Sequence, residues 1–193
     1  MIIETLVTTK NQDGSLNLAP MGPTYQGSWE RFELRPFDSS TTLANLQRTG
    51  EGILHITDNA RMMALAAIGG LRELPPGVAG KRVDVMAIQD ACCWFEFKVD
   101  FIELTGPRAN VSCRTVHQHR QRDFLGFNRA RHAVVEAAIL ATRINFLPAE
   151  EVAAQYRQYR ALVNKTGGPE EIEAMTALEQ FVFSQGASSP ATK

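Results

Sequence analysis

The sequence predicts an α+β protein: a small antiparallel β-barrel or curled sheet followed by a helical segment. Short runs with strand-like alternation crowd the first 115 residues, and the last third carries only helical patterning. Strands followed by helices, with no alternation of βαβ units, argue for segregated layers. No internal repeat of solenoid type is present.

Ile3, Thr5, Val7 and Thr9 alternate with Glu4, Leu6 and Thr8, and Asn11-Gln12-Asp13-Gly14 supplies turn chemistry before Ser15-Leu16-Asn17-Leu18-Ala19. This predicts a hairpin. Strand candidates follow at Thr24 to Tyr25, Arg31 to Arg35 and Gly52 to Thr57, the last apolar enough to be buried on both sides. Ser39-Ser40-Thr41-Thr42 ahead of Leu43 and Leu46, with Gly50 closing, predicts a capped helix over 41 to 49. A short helix is expected from Asn59 or Ala60 to Ile68, and Leu74 to Gly80 reads as an irregular connection able to cover a site.

From Cys93 the alternation is strict, with Cys93, Phe95, Phe97, Val99 and Phe101 on one face and Trp94, Glu96, Lys98 and Asp100 on the other. That is the pattern of a half-buried strand. A turn at Thr105 to Arg108 and alternation through Ala109, Val111, Cys113 and Thr115 complete a second hairpin. Helices are expected over 128 to 144, from Pro148 to Gly167, and from Pro169 to about Phe183, the last two opened by proline with paired glutamates. The expected organisation is a barrel core over 1–125, a helical subdomain over 126–185 and a disordered tail over 186–193.

With 20 basic against 21 acidic residues the net charge is −1, so electrostatics give no reason to propose nucleic acid or a membrane surface as partner. There is no basic, apolar leader at Met1 to Thr5 and no run of about 18 apolar residues, so a cytoplasmic location is the expectation. Cys92 and Cys93 are neighbours and Cys113 stands alone, which is no disulfide framework and fits a reducing compartment.

Chemistry concentrates where the strand at Arg35 hands over to the helix at Thr41. A helix N-terminus presents free N–H groups and partial positive charge, and hydroxyls plus an arginine complete a phosphate cradle. A hydroxyl before a helix is also what any cap looks like. Four in a row exceed what capping needs, leaving Ser39, Thr41 and Thr42 to donate to an oxyanion. Asn17-Leu18-Ala19-Pro20-Met21-Gly22 offers an amide and small residues that let backbone approach a flat ring, and would equally suit a bend at a barrel corner.

Ile2 to Thr5, Asn17 to Gly22, Leu34-Arg35-Pro36-Phe37, Thr41 to Leu46, Gly50-Glu51, Gly126 to Ala130 and Val134 to Arg143, in that order, resemble the family known as domain of unknown function 447, whose relatives are FMN-binding split barrels. The resemblance covers most of the chain. It implies an antiparallel split β-barrel and a homodimer with the cofactor FMN between subunits. Arg35, Ser39, Thr41 and Thr42 would hold the phosphate, and Asn17, Ala19, Pro20 and Met21 would line the isoalloxazine, with Asn45 a neighbour. Asn128, Arg129 and His132 would reach the cofactor from the partner subunit. An FMN-dependent oxidoreductase acting on a small anionic or pterin-like substrate is the function this implies; the alternative is a non-catalytic flavin carrier, sensor or assembly module. The Gly-Asp-His triplet of flavin reductases with this fold is missing, and no Gly-x-Gly-x-x-Gly follows a strand, so NAD(P)H would act only transiently.

Other constellations are weaker. Cys113, His117 and His119 lack a fourth partner at a metal-site spacing, so no metal is expected. Arg108, Arg114, Arg120 and Arg122, with the two histidines, make a basic stretch that reads first as a solvated strand end, second as a dimer contact or the seat of an anionic substrate, and last as a nucleic-acid surface, since stacking aromatics are missing there. His55, inside Ile53-Leu54-His55-Ile56, reads as a satisfied interior histidine and not a base.

Overall fold

A computed structural model describes residues 1–186; the expected tail lies, beyond Gly186, outside the described residues. In chain order the elements are β1 (Thr5–Lys10), β2 (Leu16–Met21), β3 (Arg31–Leu34), α1 (Thr41–Thr49), β4 (Glu51–Ile56), α2 (Ala60–Ala67), β5 (Gly77–Ala79), β6 (Met86–Ile88), β7 (Cys93–Leu104), β8 (Ala109–Arg120), α3 (Arg129–Ala141), α4 (Ala149–Thr166) and α5 (Pro169–Gly186). They form two compact units. A barrel unit comprises 1–58 and 73–124, and a helical unit joins 59–72 to the chain from 125 onward. The short helix α2, expected within the core, thus packs with α3 and α5.

The barrel is one antiparallel sheet in the order β2-β1-β4-β7-β8-β3. Its outer strands meet through Thr24, which bridges Ile2 on one side and Glu33 of β3 on the other. The strand expected at Thr24 to Tyr25 is reduced to this bridge. Because closure happens only there among the described residues, none of their strands lies beside the outer edge of β2 over Leu16–Met21. Pro20 is tolerated on such an edge, where its missing N–H breaks no ladder. The helix α1, which joins β3 to β4, packs against β1 and β2.

Inside the barrel Val7, Phe32, Leu34, Leu43, Leu46, Leu54, Phe95, Phe97, Ala109, Val111 and Cys113 form the core. Phe97 lies against Gly52 so closely that a Cβ there would meet its Cζ at 2.6 Å. Phe101 departs from the expected face. Register shifts between Glu96 and Phe97 and between Val99 and Phe101 break the period-two alternation, and Phe101 is exposed.

Trp94 and Glu96, expected on the solvent face, are buried as well. The reason is a segment that composition made look irregular: β5 pairs with β6, and Val83, Val85, Ala87 and Ala91 pack with Ile53 and Trp94 as a second layer outside the sheet. Glu96 accepts the N–H groups of Lys81 (2.9 Å) and Arg82 (2.6 Å), which pins that layer. β4 is therefore covered on both faces, as its apolar run predicts.

In the helical unit the alanines of α3 (Ala130, Ala133, Ala137, Ala138, Ala141) let the other helices approach closely, with Tyr156, Val163, Met175 and Leu178 filling the centre. α3 ends at Ala141, earlier than expected, and a 3-10 turn at Ile144–Phe146 follows.

Candidate functional site

Ser40, not its neighbours, caps α1: its Oγ accepts Leu43 N–H at 3.2 Å and donates to Phe37 O at 2.7 Å. One hydroxyl is thereby committed to the cap. Ser39, Thr41 and Arg35 are exposed, and among the described residues none of their side chains is engaged in a hydrogen bond or ion pair. The helix opens with no acidic residue in its first turn, so no carboxylate of its own offsets its N-terminal field.

The turn between β7 and β8 braces this corner. Phe37 bridges to Arg108, whose guanidinium lies 3.8 Å from the centre of the Phe37 ring and donates to Arg35 O at 2.8 Å. Asp38 N–H donates to Pro107 O at 3.2 Å. Arg108, assigned by sequence to a solvated strand end, is thus the second guanidinium at the strand-to-helix corner.

Behind the corner lies a buried polar network. Asn17 Nδ2 donates to Thr9 Oγ1 and Thr42 Oγ1, both at 3.1 Å, while Asn45 Nδ2 donates to Thr9 Oγ1 at 3.0 Å and Asn11 Oδ1 at 2.8 Å. Arg48 closes it by donating to the Lys10 carbonyl and, at 3.5 Å, to Asn45 Oδ1. Three residues singled out from sequence, Asn17, Thr42 and Asn45, are therefore drawn into one cluster by two that were not, Thr9 and Asn11. The signal for Thr9 was available: the Asn11 to Gly14 turn sets the hairpin register that puts Thr9 opposite Asn17.

On β2, Asn17, Ala19 and Met21 share the face turned toward Val7 and the barrel core, and the pleat sends Pro20 to the opposite face. Gly22 serves chain packing, since a Cβ there would lie 2.8 Å from Ile2 Cγ2. Asn128, Arg129 and His132 belong to the helical unit. Asn128 is the cap of α3, accepting Arg131 N–H at 3.1 Å and donating to Thr166 O at 3.0 Å. Arg129 and His132 are exposed on that helix, with His132 edge-on to Phe127.

His55 is fully buried, with Ile88 N–H donating to Nε2 at 3.0 Å and Nδ1–H donating to Leu6 O at 3.2 Å. Burial pulls its pKa down to about 4 against an opposing pull from the Leu6 carbonyl, so it is a neutral structural group. Cys113 points into the barrel core, where burial pushes its thiol pKa far up. His117 and His119 lie on the other face of β8, opposite Glu96 and Trp94, and His119 stacks 4.2 Å from Trp94. The three do not converge. The cysteines are free thiols.

The family model for the N-terminal domain of the protein of unknown function DUF447 matches residues 3–122, and the model for its C-terminal part matches 128–180. The chain belongs to the DUF447 family. Among solved structures it resembles an FMN-bound DUF447 protein from Methanosarcina mazei, with 22% identity and a TM-score of 0.80 over 93% of this chain and 94% of that one. The 2-nitrobenzoate 2-nitroreductase of Pseudomonas fluorescens matches 61% of this chain and 64% of its own, at 21% identity and TM-score 0.52. Flavoredoxin from Methanosarcina acetivorans matches 65% and 72%, at 12% identity and TM-score 0.55. This DUF447 chain accordingly has the split-barrel fold of flavoproteins, extended by helices. No helix among the described residues is long and apolar enough to cross a membrane.

Proposed function

We propose that this DUF447 protein binds FMN at the N-terminus of α1 and acts as an FMN-dependent oxidoreductase on a small anionic or pterin-like substrate. One observation carries the cofactor assignment. Once Ser40 has capped the helix, Ser39, Thr41 and Arg35 still face solvent with their donors uncommitted, which is the donor set a phosphate dianion requires. The FMN-bound family member from M. mazei supports the same reading. The unpaired edge of β2 offers main-chain groups to a flat ring, with Ala19, Pro20 and Met21 alongside.

Bound FMN would supply the electron-transfer chemistry, and the protein would supply orientation and exclusion of water. NAD(P)H would stack on the ring transiently, since no dinucleotide motif is present. The protein would work in the cytoplasm as a homodimer, with Asn128, Arg129 and His132 reaching the cofactor of the partner subunit, and without nucleic acid or membrane as partner. The lack of a Gly-Asp-His triplet favours a second reading, a flavin carrier, sensor or assembly module without turnover.

The purified protein is expected to show the visible absorption of an oxidised flavin, or to acquire it on titration with FMN. A protein that stays colourless in excess FMN overturns the assignment. Anaerobic mixing with NADH or NADPH separates the two readings: bleaching at catalytic rates means turnover, and an inert yellow protein means a carrier or sensor.

A further inference from the structure

The barrel unit is open along one side of β8. β3 pairs with β8 only over Val111 to Arg114, and among the described residues no strand lies beside that edge from Val116 to Arg120. The segment that closes the barrel through Thr24 meets this opening on a fixed backbone. Tyr25 N–H donates to Met1 O at 2.8 Å, Thr115 N–H donates to Glu30 O at 2.9 Å, and Thr115 Oγ1 donates to Trp29 O.

Trp29 packs on the barrel core, its ring centre 5.3 Å from Phe95 and 5.9 Å from Phe32, and Tyr25 adjoins it at 4.8 Å. Both are half-buried, and among the described residues neither the indole N–H nor the phenol O–H has a hydrogen-bond partner. Gln118 pairs directly with Phe95, so it stands on the same face of the sheet, exposed and with its amide uncommitted. Flat aromatic surface with a few idle polar groups is the composition of a small-molecule site. An amide presents a donor and an acceptor in one plane, the complement of a lactam or carboxamide edge. The charges nearby do not favour an anion: Arg120, next on that face, is spent on Asp123, and Glu30 follows Trp29.

We propose that this shelf binds a neutral planar heteroaromatic ring, packed on Trp29 and Tyr25, whose lactam or carboxamide edge is read by the Gln118 amide. The shelf is separate from the α1 corner. Gln118 lies ten residues along the chain from Arg108, about 30 Å at a strand's rise of about 3.3 Å per residue. Binding there does not depend on FMN.

The test titrates two probes into the FMN-free full chain: quinazoline-2,4-dione, a planar bicycle with lactam edges, and quinazoline, the same bicycle without them. Tryptophan emission is the readout, and since Trp94 is 4% exposed, quenching by a bound ring reports Trp29. The dione should bind about tenfold more tightly, the worth of one or two hydrogen bonds between neutral groups. Gln118→Ala, at an exposed position, should bring that ratio to about one, whereas Tyr25→Ala should weaken both probes by about threefold to tenfold and keep the ratio. No quenching by either probe, or an unchanged ratio in Gln118→Ala, overturns the proposal. Ligand-detected NMR then repeats the comparison on protein saturated with FMN, where the preference for the dione should persist. Loss of the dione there would make the shelf the seat of the flavin ring, which overturns this inference and leaves FMN binding in place. A protein that takes the dione and not FMN keeps this inference and refutes the FMN reading.

Discussion

The interior of the barrel unit holds Thr5, Thr8, Thr9, Thr42, Asn45, His55 and Glu96, whereas Glu171 is the one buried polar or charged side chain among the described residues of the helical unit. Glu171 has a plain structural account, accepting Gly168 N–H at 2.8 Å at the start of α5 and Arg131 Nε–H at 3.1 Å. A buried polar group costs free energy unless it is paired, so a polar interior is expected only where its members hold one another in place. In the barrel they do: Thr8 donates to Met86 O, His55 joins Leu6 to Ile88, and Glu96 anchors the 81–82 backbone. The helices reach close packing with alanines and larger apolar side chains. The contrast puts the polar interior in the barrel and leaves the core of the helical unit as an apolar packed body.

The largest way to break that comparison is to hollow the barrel. Phe97 is fully buried, edge-on to Phe32 at 5.4 Å, and Phe97→Ala should cost about 3–5 kcal/mol, read by urea denaturation. A loss under about 1 kcal/mol would mean that the barrel core is not the main support of its unit.

Next in size is a pH effect confined to the barrel. With its pKa held near 4 in the fold against 6.5 when free, His55 binds a proton more readily in the unfolded chain. Its contribution is fully present above about pH 6.5 and is lost as pH falls toward 4, by at most about 3 kcal/mol. Unfolding curves from pH 7.5 to 4.5 should show this acid slope, and His55→Gln should flatten it. An identical slope in the variant would move its origin elsewhere.

Local rules account for what was legible in the sequence. The helix α1 spans Thr41–Thr49 as its hydroxyl cap and Gly50 predict, and Gly50 closes it at a φ of 68°. The hairpins and the helices α4 and α5 also lie where alternation and starts of proline with paired glutamates put them. What was not legible depends on contacts between distant segments. Trp94 and Glu96 carry a solvent-face pattern and are buried because residues 77–91 fold back over the sheet, a tertiary event with no local signature. Phe101 is turned outward by bulges that alternation cannot anticipate. In the candidate site Arg35, Ser39 and Thr41 were legible as a cradle and Thr9 could be read from the hairpin register, but Arg108 enters it only through the bridge to Phe37.

A smaller effect sharpens the comparison by separating binding from stability. Arg35 is exposed, so Arg35→Ala should lower FMN affinity tenfold to a hundredfold while the thermal midpoint stays within about a degree or two. The double change Thr41→Ala with Thr42→Ala should weaken FMN comparably and also lower stability by about 1 kcal/mol, because buried Thr42 accepts from Asn17. Unchanged affinity in both variants would remove the phosphate from this corner.

The smallest effect comes from the helical unit. Tyr156 is buried in its core and donates to Ala137 O at 2.8 Å, and burial raises its phenol pKa well above the usual range. Tyr156→Phe keeps the ring and removes one hydrogen bond, leaving a buried carbonyl with less to accept, which should cost about 1 kcal/mol. FMN affinity, measured on the same samples, should not change. If it fell as far as in Arg35→Ala, the core of the helical unit, and not only the start of α3, would be part of the binding machinery, and the division of labour drawn from what each unit buries would have to be abandoned.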